Sequence, residues 1–293
     1  MPKFASPMKT LKIAIRIILI LFLLFVINGL DCRMKVRQYT ITSSKITRPL
    51  KIVLITDLHS CWYGKGESRI VKKIDRFRPD LVLLGGDIFD DRKPFDRTIQ
   101  FFNTIGPKYK CYYTTGNHEV WSGQLDSIKN IVRQSGVRIL EGEMVTLRHG
   151  KDTFDLCGWP DVTEHARWSV VWNGVDSLSK RCNPARYSIL LHHRPEFVEK
   201  FMDYGFDLML AGHYHGGQFR LPWQREGYYA PDHAGTLKYT GGDYPFGNRH
   251  AIVSRGLARE STLIPRFYIR PELVEITIVP EEKAELNATS NAK

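Results

Sequence analysis

The stretch Gly212-His213-Tyr214-His215-Gly216-Gly217-Gln218 sets two imidazoles two residues apart on a glycine-rich turn, directly after an apolar run at 206–211. Neutral imidazole is the commonest protein metal ligand, and such a turn can bring both rings onto one ion. A lone His-x-His arises by chance and decides little. Four other stretches change its weight. Asp57-Leu58-His59 follows an apolar run at 51–56, and Gly85-Gly86-Asp87, with Asp90 three residues on, follows 81–84. Gly116-Asn117-His118-Glu119 follows 111–115, and His192-His193-Arg194-Pro195 follows 188–191. Singly, each has a plain structural reading: a helix cap, an exposed histidine, a turn. Jointly, Asp, His and Asn donors recur five times at the end of an expected strand, where ligand sites of α/β sheets form.

The donor types define the chemistry. Carboxylate, imidazole and one amide oxygen suit borderline-hard divalent ions such as Mn, Fe, Zn or Co. No cysteine is needed, which argues against a structural zinc knot. There are too many donors for one ion and about enough for two, with a shared carboxylate between them. Two metals roughly 3.5–4 Å apart lower the pKa of a bridging water and clamp a phosphoryl group in line.

The elements that must position these groups are legible from periodicity. Strands are expected at 51–56, 81–84, 111–115, 137–140, 144–148, 154–158, 188–192, 206–211, 251–255 and 273–278. Helical stripes run over 67–78 (Ile70, Val71, Ile74, Phe77), 96–104, 124–134 (Leu125, Ile128, Ile131, Val132) and 196–204. Residues 149–152 read as a hairpin turn. The first half alternates strand with helix, implying parallel pairing, and the second half is richer in strands. No internal repeat is visible.

The chain of 293 residues is 43% hydrophobic and 25% charged, enough for one large domain or two small ones with a sizeable core. Its net charge of +11 invites a nucleic-acid reading, but residues 1–48 carry nine Lys or Arg against one acid, Asp31. That leaves +3 for the other 245 residues, so no nucleic-acid partner is expected. The five cysteines (Cys32, Cys61, Cys111, Cys157, Cys182) are scattered and odd in number, and read as buried thiols rather than a disulfide framework.

Residues 11–30 hold an uninterrupted apolar run at 17–27; counted from 13 to 30, with Arg16 snorkelling, they reach the short end of the roughly 17–25 residues a spanning helix needs. No small-x-small cleavage site follows, so an uncleaved single-pass anchor in the cell membrane is favoured over a cleaved signal. Basic residues on both flanks leave its orientation open and could hold it against anionic headgroups. The expected organisation is a basic tail at 1–10, the anchor at 11–30, a basic linker at 31–48 with a short strand over 37–41, a domain at 49–280 and a polar disordered tail at 281–293.

The order Asp-x-His, Gly-Gly-Asp-x-x-Asp, Gly-Asn-His-Glu, His-x-Pro and Gly-His-x-His-Gly-Gly-Gln resembles that of the calcineurin-like metallophosphoesterases. Within them it is similar to the bacterial membrane-associated branch, whose last motif ends in Gly-Gly-Gln. The resemblance implies a four-layer α/β/β/α sandwich of two mixed sheets. It also implies two divalent ions (Mn, Zn or Fe) and hydrolysis of phosphoester or pyrophosphate bonds by a metal-bridging hydroxide. Carried over, it gives one metal to Asp57, His59 and His215, the second to Asn117, His193 and His213, and the bridge to Asp87. It prefers His193 to His192 because the pattern is His-x-Pro; strand alternation says only that one of the pair faces the metal. His118 would be no ligand but the acid that protonates the leaving oxygen. Asp90 and Glu119 would hold ligands or loops. Arg194 and Arg255 are candidates for a phosphate contact, against the plainer reading as structural ion pairs. Tyr214 stands where the branch often has Thr, and the aromatic-rich segment 220–244 is either a lid or a packed surface loop. The implied substrate is a lipid-linked or nucleotide-linked phosphodiester, with a UDP-2,3-diacylglucosamine pyrophosphatase-type hydrolase as the second reading. A membrane-tethered scaffold with a structural metal site is the third, though no motif ligand is missing.

Overall fold

The computed structural model describes residues 7–162, 167–230, 233–234, 237–259 and 265–281. Helix α1 (Pro7–Gly29) comes first, and its span from Met8 is the one helix among the described residues long and apolar enough to cross a membrane. It begins inside the stretch expected as a basic tail, because Pro at the first helical position needs no N–H partner. Strand β1 (Lys35–Ser43) follows. The segment expected as a linker is therefore largely sheet: β1 pairs in parallel along its whole length with the final strand, from Lys35 opposite Glu272 to Ser43 opposite Pro280.

The first half then alternates as expected. Strand β2 (Leu50–Ile55), α2 (Ser68–Phe77), β3 (Leu81–Gly85), α3 (Asp96–Ile105), β4 (Cys111–Thr114), α4 (Asn117–Trp121), α5 (Leu125–Gln134) and β5 (Arg138–Ile139) run in order. The second half holds β6 (Glu143–His149), β7 (Asp152–Trp159), α6 (Trp168–Arg181), β8 (Tyr187–His192), α7 (Val198–Asp203) and β9 (Leu208–Ala211). It closes with β10 (Tyr229–Ala230), β11 (His233–Ala234), β12 (Gly242–Phe246), β13 (Arg249–Val253) and β14 (Glu272–Pro280). Helix α6 lies in a stretch to which the sequence reading assigned no element. The expected polar tail falls, from residue 282 on, outside the described residues.

Two six-stranded mixed sheets result, ordered β1-β14-β2-β3-β4-β5 and β12-β13-β9-β8-β7-β6. Strands β2 to β5 are parallel, as are β13, β9, β8 and β7, while β14, β12 and β6 each make an antiparallel pairing. The pleat sorts the apolar side chains into three cores. On β2, Ile52 and Leu54 point into the space between the sheets, with Ile189, Leu191 and Leu210 from the other side. Val53 and Ile55 point the other way, onto α2, α3 and α5 through Ile70, Ile74, Phe102 and Ile128. On β8, Leu190 packs outward against Val175 of α6 and Phe201 of α7. Each such fully buried side chain contributes roughly 1.5–3 kcal/mol. The layers are α/β/β/α, and the carboxyl ends of β2, β3, β4, β8 and β9 meet at one edge of the sandwich.

Candidate metal centre

That edge is stitched together by backbone. Asp57 N–H donates to the Gly86 carbonyl (3.0 Å), His59 N–H to the Asp87 carbonyl (3.0 Å), and Gly212 N–H to the His193 carbonyl (3.0 Å). His213 N–H donates to Asp57 Oδ1 (2.9 Å) and His118 N–H to Asp87 Oδ1 (2.9 Å). The five loops thus come together and bring their side chains with them. Asp57, His59 and His215 form one buried cluster of donors, and Asp87, His193 and His213 a second, each with its atoms within 4.8 Å of one another. Asp87 lies between them: its Oδ2 is 3.1 Å from His193 Nε2 and 3.6 Å from His59 Nε2. Asn117 is buried, and its Oδ1 has no hydrogen-bond partner.

The backbone here is strained. Asp57 (φ 51°), His59 (48°), Asp87 (54°), His213 (73°) and His215 (51°) all sit in the left-handed region. Such residues cost of order 1–3 kcal/mol each and persist where the surroundings over-determine them. Two glycines permit the close approach. A Cβ on Gly116 would lie 2.2 Å from Asp87 Oδ1, and one on Gly212 would lie 2.4 Å from Asp57 Oδ2.

Burial without a compensating charge shapes the electrostatics. It raises the Asp57 pKa, with the His193 charge opposing and the Asp87 charge adding. It would raise Asp87 too, but His193 and His118 outweigh it and hold that carboxyl well below the ordinary range. His193 is pushed the other way: burial opposes its charge, and Asp87 lifts it to about 10. His213 and His215 fall well below the usual histidine value, first through burial, then through His193 and Arg194 for one and His59 and Arg266 for the other. A metal ligand must be a neutral imidazole or an ionised carboxylate.

The supporting residues are as informative. Asp90 Oδ2 lies 3.2 Å from His59 Nδ1. The Glu119 carboxylate accepts from the backbone N–H groups of Asp87, Ile88, Phe89 and Gly116 (2.7–3.0 Å), tying the β3 loop to the β4 loop. His118 is 19% exposed while Asp87 and His193 are at most 1%, so it stands at the mouth with the donors beneath it. Its Nε2 is 4.0 Å from Asp87 Oδ2, and its Nδ1 is 2.6 Å from Asp91 Oδ1. His192 turns away: its Nδ1 lies 3.0 Å from the Trp159 carbonyl and its ring packs on Phe201. Of the two arginines, Arg194 grips Asp161 through Nε (2.8 and 3.0 Å) and lies 3.3 Å from His213 Nε2. Arg255 gives its guanidinium to Glu272 (3.1 Å) and the Gly241 carbonyl (2.6 Å).

Two residues were missed. Asp91 adjoins Asp90, and the doubled carboxylate after Gly-Gly-Asp was the available signal. Buried Arg266 lies 3.2 Å from His215 Nδ1 and donates to the carbonyls of His215 and Arg255. Its signal was a lone cation in the run Ile264-Pro265-Arg266-Phe267-Tyr268-Ile269.

The donors fit divalent cations on their own showing. Asp57 Oδ2, His59 Nε2, Asn117 Oδ1 and His193 Nε2 are all buried with no hydrogen-bond partner. A buried polar atom left unpaired costs about 1–3 kcal/mol, and Asp57, His59 and His193 belong to the two buried donor clusters. A divalent ion at each cluster would satisfy such atoms and invert the local pKa logic.

Comparison with known proteins agrees. The family model described as calcineurin-like phosphoesterase matches residues 50–217. The chain is 29% identical over 247 residues to "Phosphodiesterase YaeI" of Escherichia coli, covering 79% of this chain and 83% of that protein. It is 28% identical over 255 residues to the uncharacterized metallophosphoesterase YkuE of Bacillus subtilis, covering 82% and 84%. An uncharacterized metallophosphoesterase of Helicobacter pylori is 29% identical over 192 residues, and there the match covers 64% of this chain but only 50% of the relative's length.

Proposed function

The chain belongs to the calcineurin-like phosphoesterase family, and from that premise we propose that it is a membrane-anchored dimetal phosphodiesterase acting on lipid-linked or nucleotide-linked substrates. The coarser activity, metal-dependent hydrolysis of phosphoric esters, comes with the family. Asp57, His59 and His215 would hold one cation and Asn117, His193 and His213 the other, with Asp87 shared between them. When bound, the two ions supply a water of lowered pKa and neutralise charge on the phosphoryl oxygens. The chain's own groups do the rest. Asp90, behind His59, orients that ring, and Arg266 holds the His215 backbone carbonyl. Glu119 holds the two loops that carry Asp87, Asn117 and His118. His118 gives its Nε2 proton to the leaving oxygen, with Asp91 at Nδ1 behind it favouring the protonated ring. α1 is the anchor, and the preference for diesters is drawn from the name of the Escherichia coli relative.

The observation that carries this reading is the meeting of Asp57, His59 and His215 in one buried donor cluster and of Asp87, His193 and His213 in another, with Asp87 Oδ2 3.1 Å from His193 Nε2 and 3.6 Å from His59 Nε2. The test is hydrolysis of bis-p-nitrophenyl phosphate by the full chain with added Mn, alongside elemental analysis. Two metals per chain are expected, with turnover that disappears in Asp87→Ala. Metal-loaded protein that hydrolyses neither this diester nor any lipid phosphoester would instead favour a tethered scaffold.

A further inference from the structure

A second cavity, of about 570 Å³, opens where the chain leaves α1. Six of its lining residues are cations: Arg33, Arg69, Lys72, Lys73, Arg76 and Arg259. Among the described residues no carboxylate lines it. Four of the six come from one helix. Arg69, Lys72, Lys73 and Arg76 lie at i, i+3, i+4 and i+7 of α2, whose opposite face buries Ile70, Val71 and Ile74. Like charges at these spacings repel along a helix. None of the four has an ion-pair partner among the described residues, and Asp75 of the same helix is taken by Lys108 and Tyr109.

The cavity's position is set by how α1 joins the domain. No flexible tether intervenes. Tyr268 N–H donates to the Gly29 carbonyl (2.7 Å) and Tyr268 Oη–H to the Phe25 carbonyl (2.9 Å). The Phe25 and Phe267 rings meet at 5.7 Å. Arg270 Nη1 pairs with Asp31 (3.3 Å), Arg270 Nε donates to the Arg33 carbonyl (2.8 Å), and Lys35 N–H donates to the Pro271 carbonyl (2.8 Å), where β1 begins. Only Leu30 and Asp31 separate Gly29 from Cys32 in the cavity wall, at most about 11 Å of chain. The headgroup layer on each side of a bilayer is roughly 5–7 Å deep. An α1 that spans the membrane therefore holds the cavity at headgroup level.

We propose that this cavity is a binding site for the phosphate-bearing headgroup of an anionic phospholipid of the bilayer that α1 enters. It is distinct from the metal centre. It rests on the reading of α1 as a membrane anchor. Each Lys or Arg near an anionic surface adds about 1 kcal/mol, and a walled cavity lined by the four α2 cations concentrates that attraction on one headgroup. Bound lipid also relieves the repulsion along α2.

The test uses the full chain in detergent micelles doped with equal phosphatidylglycerol and phosphatidylcholine of the same acyl chains, with retained lipid read by native mass spectrometry. Preferential retention of phosphatidylglycerol is expected. The triple variant Lys72→Gln/Lys73→Gln/Arg76→Gln should weaken it by on the order of a hundredfold, with no fall in melting temperature, since the charges removed repel one another and none is buried. Equal retention of the two lipids, or a preference that survives in the variant, overturns the site. Millimolar inorganic phosphate that strips phosphatidylglycerol from the parent reassigns the cavity to a soluble anion and also overturns it. The anchor is read separately, by carbonate extraction of membranes. A chain that leaves with the soluble fraction ends the anchor reading and this inference with it, whereas lost lipid preference alone ends only the inference.

Discussion

Asp91→Asn probes how His118 is prepared to act as an acid. The two side chains are 19% and 16% exposed, and His118 Nδ1 lies 2.6 Å from Asp91 Oδ1. Burial lowers the His118 pKa, but the Asp87 charge and the Asp91 hydrogen bond outweigh it, so the net shift is upward. The amide keeps an acceptor in place and removes the charge. Hydrogen bonds to charged groups are worth about 1.5–3 kcal/mol against about 0.5–1.5 for neutral ones. The imidazolium therefore loses about 1–2 kcal/mol, a factor of roughly 5–30. The sign follows from the raised pKa: activity that needs the proton is complete below that pKa and is lost as pH rises through it, so the variant's basic limb moves to lower pH. The assay is kcat/KM against pH for two diesters, one with a poor alkyl leaving group and one with nitrophenolate. Above the parent's basic limb a fall of roughly 5–30-fold is expected for the alkyl substrate, with little change for the nitrophenyl one and the same metal content. An unmoved basic limb, or equal losses on both substrates, would refute the assignment of His118 as the acid. Loss of metal would show that Asp91 supports the cations instead.

Gly116→Ala places a Cβ against Asp87 Oδ1; overpacking of this kind costs about 1–3 kcal/mol, so metal affinity should drop by tenfold or more in a chelator titration while the thermal transition stays cooperative. Asp90→Ala leaves His59 Nδ1 without its carboxylate at 3.2 Å, and loss of such an outer partner lowers metal affinity about 10–100-fold, measurable by the same titration. In metal-free protein His193 is raised from 6.5 to about 10, with burial opposing and Asp87 lifting it. Its contribution to stability is then complete below pH 6.5 and is lost as pH climbs towards 10. Melting temperatures of chelated protein should decline across that window, and saturating Mn should flatten the profile; a flat profile without metal would sink the His193–Asp87 pairing.

Much of this was written locally. The helices α2, α3 and α5 each bury one stripe, and the periodicity of Ile70, Val71 and Ile74 or of Ile128 and Val132 shows in the residue order alone. Helix α6 escaped because Trp168 and Val170 are exposed and blur the stripe made by Val171, Val175 and Leu178. Strand β1 was expected only as a short piece over 37–41, and its full length and pairing escaped because its partner β14 lies more than 200 residues further along the chain. An edge strand with one half-wet face carries little signal until that partner is present. The partners Asp91 and Arg266 were hidden for the same reason: nothing near Arg266 in the chain says that it will stand beside His215.

The residue order by itself determined the donor types, their number and their place at strand ends, because glycines and strand termini are short-range features. The fold alone decided which atoms meet. On β8 the pleat continues from Leu190, facing α6 and α7, to Leu191, facing the other sheet. His192 thus falls on the Phe201 side and His193 beside Asp87. Composition cannot make that choice, since the two imidazoles are chemically identical and differ only in the face onto which a packed sheet turns them.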